Sequence, residues 1–337
     1  MSVALPPEAV AVARAAVLDA VLVCREAARG LAQVGRIAKP DESPVTVADF
    51  AAQAVIVRRL RALGRPIVGE EQAGVLREPA NAALRDAVVA AVRPVWPDAE
   101  ADAVLEAIDG AGAVADPHGG YFTVDPIDGT RGFVRGGQYA VCLAWIIDGS
   151  PRLGLMGCPN LPRGLEASMS AIDPEGTLLE AEAGAPLRWG TAMPGSPLHA
   201  VARDLPRERP SPLVVTRSLE GTYSRVEDVA RVLARLGVPI ELRPADSQAK
   251  YGMVARGQAH AYLRIPLHRS RAEQVWDHAP GWMVATAAGM RVTDLAGAPF
   301  DFTCGERLER NYGVVCAPPA VHEALIEAIA ALGLQHR

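Results

Sequence analysis

The sequence is short of lysine, of aromatic residues and of positive charge. Of its 34 lysines and arginines only two are lysines, Lys39 and Lys250, and aromatic residues make up 5% of the 337 positions. Because arginine serves as the cation almost everywhere else, these two positions are candidates for sites that need a compact ammonium group. The net charge of −5 argues against a general nucleic-acid-binding surface, which would need a basic excess.

Cysteine pairs and long apolar runs are also missing. The five cysteines lie far apart and form no C-x-x-C pair, which excludes a disulfide framework and a structural zinc site as expectations. The apolar N-terminal stretch is interrupted by Arg14, Asp19 and Arg25, so we expect an amphipathic helix rather than a signal or a membrane span. These features are typical of a cytoplasmic protein without a membrane partner, and we expect a monomer or a homodimer.

What is present is enough apolar sequence for a large core. Hydrophobic residues make up 50% of the chain and charged residues 22%, and the length is typical of two domains. The pattern predicts an α+β domain over residues 1–160. Strands and helices alternate from residue 213 onward, which predicts an α/β domain over residues 161–337.

Individual elements can be predicted from periodicity and turn signals. Helices are expected over 8–30, from Phe50 to about residue 63, and over much of 80–108. A strand is expected at Tyr121–Val124, followed by a tight turn and then by a hairpin with its turn at Asp148–Gly149. The Pro- and Arg-rich stretch 186–212 is predicted to be a loop, or a hairpin with long connections. In the second half we expect strands at 213–216, 239–242 and 260–264, helices at 224–236, 247–256 and 278–288, and a final strand and helix.

Five acids stand at predicted strand ends or helix starts. They are Asp49, Glu70, Asp125, Asp128 and Asp277. Taken singly, each can be an ordinary helix cap, a surface acid or part of an Asx turn. Taken together, converging carboxylates would repel one another unless cations lay between them. Carboxylate oxygens are hard ligands that suit Mg²⁺, which also takes phosphate oxygens.

The segment "DPIDGT" can be given a mechanical interpretation. Asp125 and Asp128 would face one pocket across a stiff turn, and the carbonyl of Ile127 would point outward as a further oxygen ligand. Gly129 and Thr130 would then open a helix whose free N–H groups face the same pocket. The segment therefore predicts a metal site next to a phosphate site.

Four segments in this order, "SPVTVAD", "GEE", "DPIDGT" and "WDHAPG", resemble those of the lithium-sensitive, Mg²⁺-dependent phosphatase superfamily. This superfamily includes inositol monophosphatases, fructose-1,6-bisphosphatases and 3'(2'),5'-bisphosphate nucleotidases. The resemblance runs from about Lys39 to Ala317 and implies an α/β fold, a layered αβαβα sandwich. It also implies a hydrolase that uses two or three Mg²⁺ ions.

The resemblance further implies a role for each matching residue. The metal ligands would be Glu70, Asp125, the carbonyl of Ile127, Asp128 and Asp277. Asp49 and Thr130 would orient and deprotonate the attacking water, and Gly129 and Thr130 would hold the scissile phosphate. Glu71 would support the ligands or a third metal ion.

Two further stretches favour the bisphosphate nucleotidases within this superfamily. "RGFVRGGQYAV" and "DSQAKYGMVARGQAHAYLRIP" are similar to nucleotidase segments in which the residues matching Ser247, Lys250 and Arg264 surround the nucleotide and its second phosphate. Asp277 would contact the substrate as well as a metal. The implied reaction is removal of the 3'- or 2'-phosphate of adenosine 3',5'-bisphosphate, giving AMP and phosphate. Alternatively, Lys250 would be a surface lysine on a helix, and Arg264 would pair with a nearby acid.

One departure from the nucleotidase pattern leaves the substrate open. Leu219 stands where a histidine near the nucleotide is usual. The alternatives are a phosphatase of the same mechanism that acts on a 2'- or 3'-phosphorylated nucleoside intermediate, or on an inositol or sugar phosphate. A nucleotide-binding regulator without turnover is a third hypothesis, and the complete set of acids argues against it.

Overall fold

The protein consists of two large β-sheets with helices between and around them, and a two-stranded sheet near its N-terminus. The computed structural model describes residues 5–29, 36–38, 44–116, 118–201, 205–219, 224–267 and 272–336. Lys39 lies outside the described residues. The elements up to residue 158 are α1 (Pro7–Arg29), β1 (Arg36–Ala38), β2 (Pro44–Thr46), α2 (Val47–Leu60), β3 (Ile67–Gly69), α3 (Gly74–Arg77), α4 (Ala82–Val92), α5 (Ala101–Asp109), β4 (Tyr121–Asp128), α6 (Thr130–Val134), β5 (Ala140–Ile147) and β6 (Ser150–Cys158).

The later elements alternate between strand and helix from residue 213 to residue 287, as predicted, but two strands rather than one precede the last helix. They are β7 (Thr177–Glu182), β8 (Arg188–Gly190), β9 (His199–Ala200), β10 (Leu213–Thr216), α7 (Val226–Ala234), β11 (Ile240–Leu242), α8 (Ala249–Arg256), β12 (Ala261–Arg264), α9 (Ala279–Ala287), β13 (Arg291–Thr293), β14 (Val314–Ala317) and α10 (Pro319–Ala331). None of the described helices is both long and apolar enough to cross a lipid bilayer.

The larger sheet has seven strands in the order β3-β4-β5-β6-β7-β8-β9. Only β3 and β4 are parallel, and the remaining neighbours are antiparallel. Helices α1 and α2 pack together on one face of this sheet. Helix α1 also lies close to β6, since a Cβ added to Gly157 in β6 would lie 2.5 Å from the side chain of Val21. The resulting core is rich in alanine and valine.

The smaller sheet has five strands in the order β11-β10-β12-β14-β13. Helices α8 and α9 lie between the two sheets, since α9 packs on β5, β6 and β7 while α8 packs on β12. Helices α7 and α10 cover the outer face. The order of layers is therefore helix, sheet, helix, sheet, helix, and the predicted αβαβα sandwich is confirmed.

The end of β4 differs from its prediction. The strand does not stop at Val124 but continues through Pro126 to Asp128, with a register shift against β5 between Asp125 and Asp128. A β-bulge leaves one residue of a strand unpaired, so it can accommodate a proline, which has no N–H group to donate a hydrogen bond to the neighbouring strand. The expected tight turn is wrong: the two acids sit on either side of a bulge in a continuing strand.

The division into domains of residues 1–160 and 161–337 stays a prediction, and the larger sheet extends beyond residue 160. Strands β7, β8 and β9 extend the larger sheet to Ala200, and the smaller sheet begins at Leu213. The pattern gave no prediction of β7, whose residues Thr177–Ala181 are buried on both faces. Stretch 186–212 contains the predicted hairpin as β8 and β9, although residues 202–204 lie outside the described residues.

Candidate active site

Three of the five predicted acids meet where the layers join. One carboxylate oxygen from each of Asp125, Asp128 and Asp277 lies within 4.8 Å of the other two. The first two come from the bulge in β4, and Asp277 lies just before His278, the N-cap of α9. Segments far apart in the sequence therefore bring their acids together, as the sequence predicts.

The charges in this acid cluster, Asp125, Asp128 and Asp277, are unfavourable without a cation. Burial raises the pKa of Asp125 well above its ordinary value, and Glu70, Asp128 and Asp277 raise it further. Burial likewise raises the pKa of Asp277, with Asp128 and Glu70 adding to the effect. For Asp128, burial raises the pKa to about 6 although Lys250 opposes it. Nearby like charges and desolvation both disfavour a carboxylate.

The same acids fit a hard divalent cation. Oδ1 of Asp125 is buried and accepts no hydrogen bond within the described part of the chain. A buried carboxylate oxygen without a donor is unusual and calls for an explanation such as an ion. Several oxygens from separate carboxylates are the ligand set that Mg²⁺ prefers. Glu70 follows β3 and interacts with Asp125, so the fourth acid is at the cluster as well.

Asp49 and Thr130, the predicted partners of the attacking water, are also brought together. Asp49 is the third residue of α2, and its Oδ2 accepts hydrogen bonds from the Thr46 N–H at 2.8 Å and hydroxyl at 2.6 Å. This is a capping box, which starts the helix three residues before the predicted Phe50. Oδ1 of Asp49 lies 3.3 Å from the Thr130 hydroxyl.

The carbonyl of Ile127 points toward the same hydroxyl. Oγ1 of Thr130 lies 3.1 Å from this carbonyl oxygen and 3.3 Å from Asp49 Oδ1, so its single proton has two acceptors within reach. A carbonyl oxygen has two lone pairs. A hydrogen bond from Thr130 therefore leaves one of them for the predicted contact with a metal ion.

The turn after the bulge packs closely against the residues that precede α8. Gly129 has φ +85°, and a Cβ there would lie 2.9 Å from Cβ of Ser247, itself at φ +66°. The following N–H, that of Gln248, donates to the carboxylate of Asp128. Helix α6, which begins at Thr130, has only five residues, so its dipole is weaker than that of a long helix. The predicted contacts Gly129, Thr130 and Ser247 thus share one location.

Lys250 is buried beside the acid cluster rather than exposed, so the surface-lysine alternative is wrong. Its ammonium group donates to the carbonyl of Ser247 and lies 5.3 Å from the centre of the Tyr262 ring. Burial lowers the pKa of Lys250 to about 8, and Asp128 and Asp246 oppose that effect. A buried ammonium next to carboxylates is a strong local source of positive potential.

Arg264 has an acid partner that the sequence analysis did not name. Its Nη2 lies 3.1 Å from Oε2 of Glu273. Burial disfavours the charged guanidinium, but Glu273, Tyr262 and Asp277 together outweigh burial and raise the pKa of Arg264. The structure therefore shows the alternative in which Arg264 pairs with an acid. A contact between Arg264 and a second phosphate stays a prediction.

Sequence reasoning missed Gln53, which fixes the segment carrying Glu70. It lies one helical turn after Asp49 on α2, and its side chain is fully buried. Nε2 donates to the carbonyls of Glu71 at 2.6 Å and Ile108 at 2.9 Å, while Oε1 accepts from the Glu71 N–H at 2.9 Å. The available signal was a polar residue four positions after Asp49, on a helix whose other residues from Val47 to Val57 are apolar.

The region around Leu219 is described only in part. The Leu219 side chain is 49% exposed, whereas residues 220–223 and 268–271 lie outside the described residues. The substitution of leucine for the usual histidine therefore leaves an apolar side chain at the surface that follows β10.

Comparison with known proteins agrees with this geometry. The model of the inositol monophosphatase family matches residues 7–334. A 3'(2'),5'-bisphosphate nucleotidase of Emericella nidulans is 38% identical over 88% of this chain and 90% of its own length. The enzyme of the same name in Schizosaccharomyces pombe is 34% identical over 88% and 87%. A 3',5'-bisphosphate nucleotidase 2 of Arabidopsis thaliana is 33% identical over 95% of both chains.

Solved structures share the fold at lower identity. The extragenic suppressor protein suhB of Bartonella henselae has a TM-score of 0.63 at 17% identity and covers 94% of this chain and 96% of its own. CysQ of Bacteroides thetaiotaomicron has a TM-score of 0.55 at 22% identity, with 90% and 96% covered. From the family match and the similarity to these relatives, we conclude that the chain belongs to the inositol monophosphatase family.

Proposed function

We propose that this protein is a cytoplasmic, Mg²⁺-dependent 3'(2'),5'-bisphosphate nucleotidase. It would remove the 3'- or 2'-phosphate of adenosine 3',5'-bisphosphate to give AMP and phosphate. The observation that carries the proposal is the convergence of Asp125, Asp128 and Asp277 within 4.8 Å beside the buried Lys250. The names of the relatives at 32–38% identity support the choice of substrate.

The metal ions would be held by residues from three segments. These are Glu70, Asp125, the carbonyl of Ile127, Asp128 and Asp277. Two or three bound Mg²⁺ ions would polarise the phosphate ester, lower the pKa of water and stabilise the leaving ribose oxygen. The resemblance to lithium-sensitive phosphatases adds the expectation that millimolar lithium inhibits the reaction.

Thr130 and Asp49 would handle the proton of the attacking water. The Thr130 hydroxyl would take a proton from the water while it gives its own proton to Asp49 Oδ1, 3.3 Å away, which leaves Thr130 neutral and Asp49 protonated. The two hydrogen bonds from Thr46 keep the Asp49 carboxylate in one orientation during this transfer. A general base held in hydrogen-bond reach is the geometric requirement for such a step.

The second phosphate of the substrate would bind to the cations on α8 and β12. A bisphosphate needs two anion sites, and the acid cluster with its metal ions provides only one. Lys250 and Arg264 would provide the other through charge-assisted hydrogen bonds, with Ser247 next to them. Since Arg264 already pairs with Glu273, Lys250 would contribute more of the positive charge that a second phosphate meets.

The test compares phosphate release from three substrates. Purified protein with Mg²⁺ should hydrolyse adenosine 3',5'-bisphosphate faster than AMP or inositol 1-phosphate, and chelation should abolish release. Lys250→Ala should raise KM for the bisphosphate more than for a nucleoside 3'-monophosphate. Equal or faster release from inositol 1-phosphate would remove the nucleotidase assignment, and equal KM changes would remove Lys250 from the second-phosphate role.

A second candidate is supported by Leu219. The same mechanism would then act on a 2'- or 3'-phosphorylated nucleoside intermediate of a specialised pathway, or on an inositol or sugar phosphate. A half-exposed leucine cannot donate a hydrogen bond to a base or a sugar, unlike the usual histidine. Faster turnover of a modified nucleoside phosphate than of adenosine 3',5'-bisphosphate would favour this candidate, and Leu219→His should then shift the preference toward the adenine nucleotide.

A further inference from the structure

Gln248 contacts both segments that carry the acid cluster, the Asp128 segment through its main-chain N–H and the Asp277 segment through its side chain. Gln248 precedes α8 and is 3% exposed. Its Nε2 donates to the carbonyl of Trp276 at 2.8 Å, and its Oε1 accepts from the N–H of Gly281 at 3.0 Å. Its main-chain N–H donates to Asp128. Gln248 thus contacts Asp128 itself and the residues Trp276 and Gly281, which lie on either side of Asp277 in the sequence.

These contacts replace a helix cap that α9 does not have in its own sequence. The N-cap of α9 is His278, whose side chain makes no capping hydrogen bond. The first N–H groups of a helix need acceptors, usually from a side chain just before the helix. For Gly281 the acceptor is the side chain of Gln248, the N-cap of α8. The start of α9, and with it Asp277, is therefore attached to α8.

The packing around this cap leaves little room for movement. A Cβ at Gly281 would lie 2.2 Å from the ring of Tyr251, so α9 and α8 are in direct contact at that point. Asp128 and Asp277 repel each other as long as both are ionised. Without a connection between their segments, that repulsion would be relieved by separation. The hydrogen bonds of Gln248 oppose this separation.

We propose that Gln248 is a positioning residue that sets the distance between Asp128 and Asp277 and so prepares the site for its metal ions. This inference rests on the proposed Mg²⁺ dependence. A site held in its bound geometry before the ion arrives binds it more tightly, because less ordering remains to be done on binding. Removing the amide should therefore weaken Mg²⁺ binding without removing any ligand.

Gln258 offers a matched control. It is also a buried glutamine, 1% exposed, and its Nε2 donates to the carbonyls of Pro162 at 3.1 Å and Gly164 at 3.4 Å. It lies beyond the other end of α8, with no contact to the acids among the described residues. Gln258→Met should lower stability as Gln248→Met does, since both remove buried hydrogen bonds and keep the side-chain volume.

The experiment measures the Mg²⁺ concentration that gives half of the maximal rise in thermal unfolding temperature. We expect Gln248→Met to raise this midpoint about tenfold or more, and Gln258→Met to leave it within about twofold of the wild type. Gln248→Asn keeps the amide but is too short to reach both partners, so it should raise the midpoint as well. If Gln248→Met does not fold, the Mg²⁺ midpoint of Gln248→Asn tests the inference instead.

Two results would overturn the inference. One is a midpoint within twofold of the wild type in the Gln248 variants; the other is an equal change in the Gln248 and Gln258 variants. Either result, with a clear Mg²⁺ effect on the wild type, leaves the proposed function standing. A wild type without any Mg²⁺ effect overturns both the inference and the proposed metal dependence.

Discussion

Mg²⁺ should bind to this protein more weakly at pH 5 than at pH 7, because protons and the cation compete for the same carboxylates. Burial and mutual repulsion raise the pKa of Asp125 and Asp277 well above the ordinary value, and burial raises that of Asp128 to about 6. Metal binding needs the ionised form and therefore releases these protons.

The size of the effect follows from Asp128 alone. With a pKa of about 6, its carboxyl group is ionised in about nine molecules of ten at pH 7 and in about one of ten at pH 5. Displacing one proton therefore weakens Mg²⁺ binding about tenfold, or by about 1.4 kcal/mol. Protons displaced from Asp125 or Asp277 would add to this, so tenfold is the least that we expect.

The pH profile of metal-free stability is less informative, because two kinds of group act against each other. A carboxyl group with a raised pKa makes the folded state less stable as pH rises from about 4 to about 6, at most by about 3 kcal/mol for Asp128. His322 has its pKa lowered to about 4, by burial and then by Arg291. Its effect has the opposite sign, since the unfolded state takes up its proton first as pH falls through about 6.5.

The assay is therefore a Mg²⁺ titration of the thermal unfolding temperature at pH 5, 6 and 7. Asp128→Asn should abolish the Mg²⁺-dependent rise at every pH. His322→Asn should change the metal-free profile and leave the ratio of midpoints unchanged. Midpoints that agree within about twofold at pH 5 and pH 7 in the wild type would refute the reasoning, because the carboxylates would then already be ionised at pH 5.

Three further substitutions test parts of the support around the site. Gly129→Ala should cost more stability in urea denaturation than the control Gly136→Ala, since both glycines have positive φ but only Gly129 contacts Ser247; strain alone is about 1–2 kcal/mol. Gln53→Ala removes three buried hydrogen bonds to main-chain groups of Glu71 and Ile108; it should cost about 3 kcal/mol, and a loss below about 1 kcal/mol would contradict this. Glu180→Gln breaks the buried pairing with two arginines and should cost about 2 kcal/mol without moving the Mg²⁺ midpoint.

The sequence predicted the elements best where one physical signal controls them. Helices α1 and α2 follow apolar periodicity, and the hairpin of β5 and β6 follows the Asp148–Gly149 turn, so their approximate positions are confirmed. Strand β7 was missed because it carries Glu180, an acid that is fully buried there, whereas an acid in a sequence indicates a solvent-exposed position. The five layers themselves came from the family resemblance rather than from any local pattern.

The acids of the site could be predicted from the sequence, whereas the groups that hold them in place could not. Carboxylates at strand ends are visible in a sequence because a charge in such a place needs an explanation. Glu273, which pairs with Arg264, follows the predicted strands without any such context, and only the fold places it there. The bulge at Pro126 depends on pairing with β5, a long-range contact that no short window contains.

Two neutral glutamines support the charged site, and their neutrality has a physical reason. Gln53 holds the segment of Glu70, and Gln248 holds the segments of Asp128 and Asp277. An amide satisfies both an N–H and a carbonyl group without adding charge. An arginine or lysine in the same place would neutralise the carboxylates and reduce their affinity for a metal ion. Charged residues in a sequence identify the metal ligands but not the groups that hold them in place. In this protein those groups include buried glutamine side chains that hydrogen-bond to the main chain of the acidic segments.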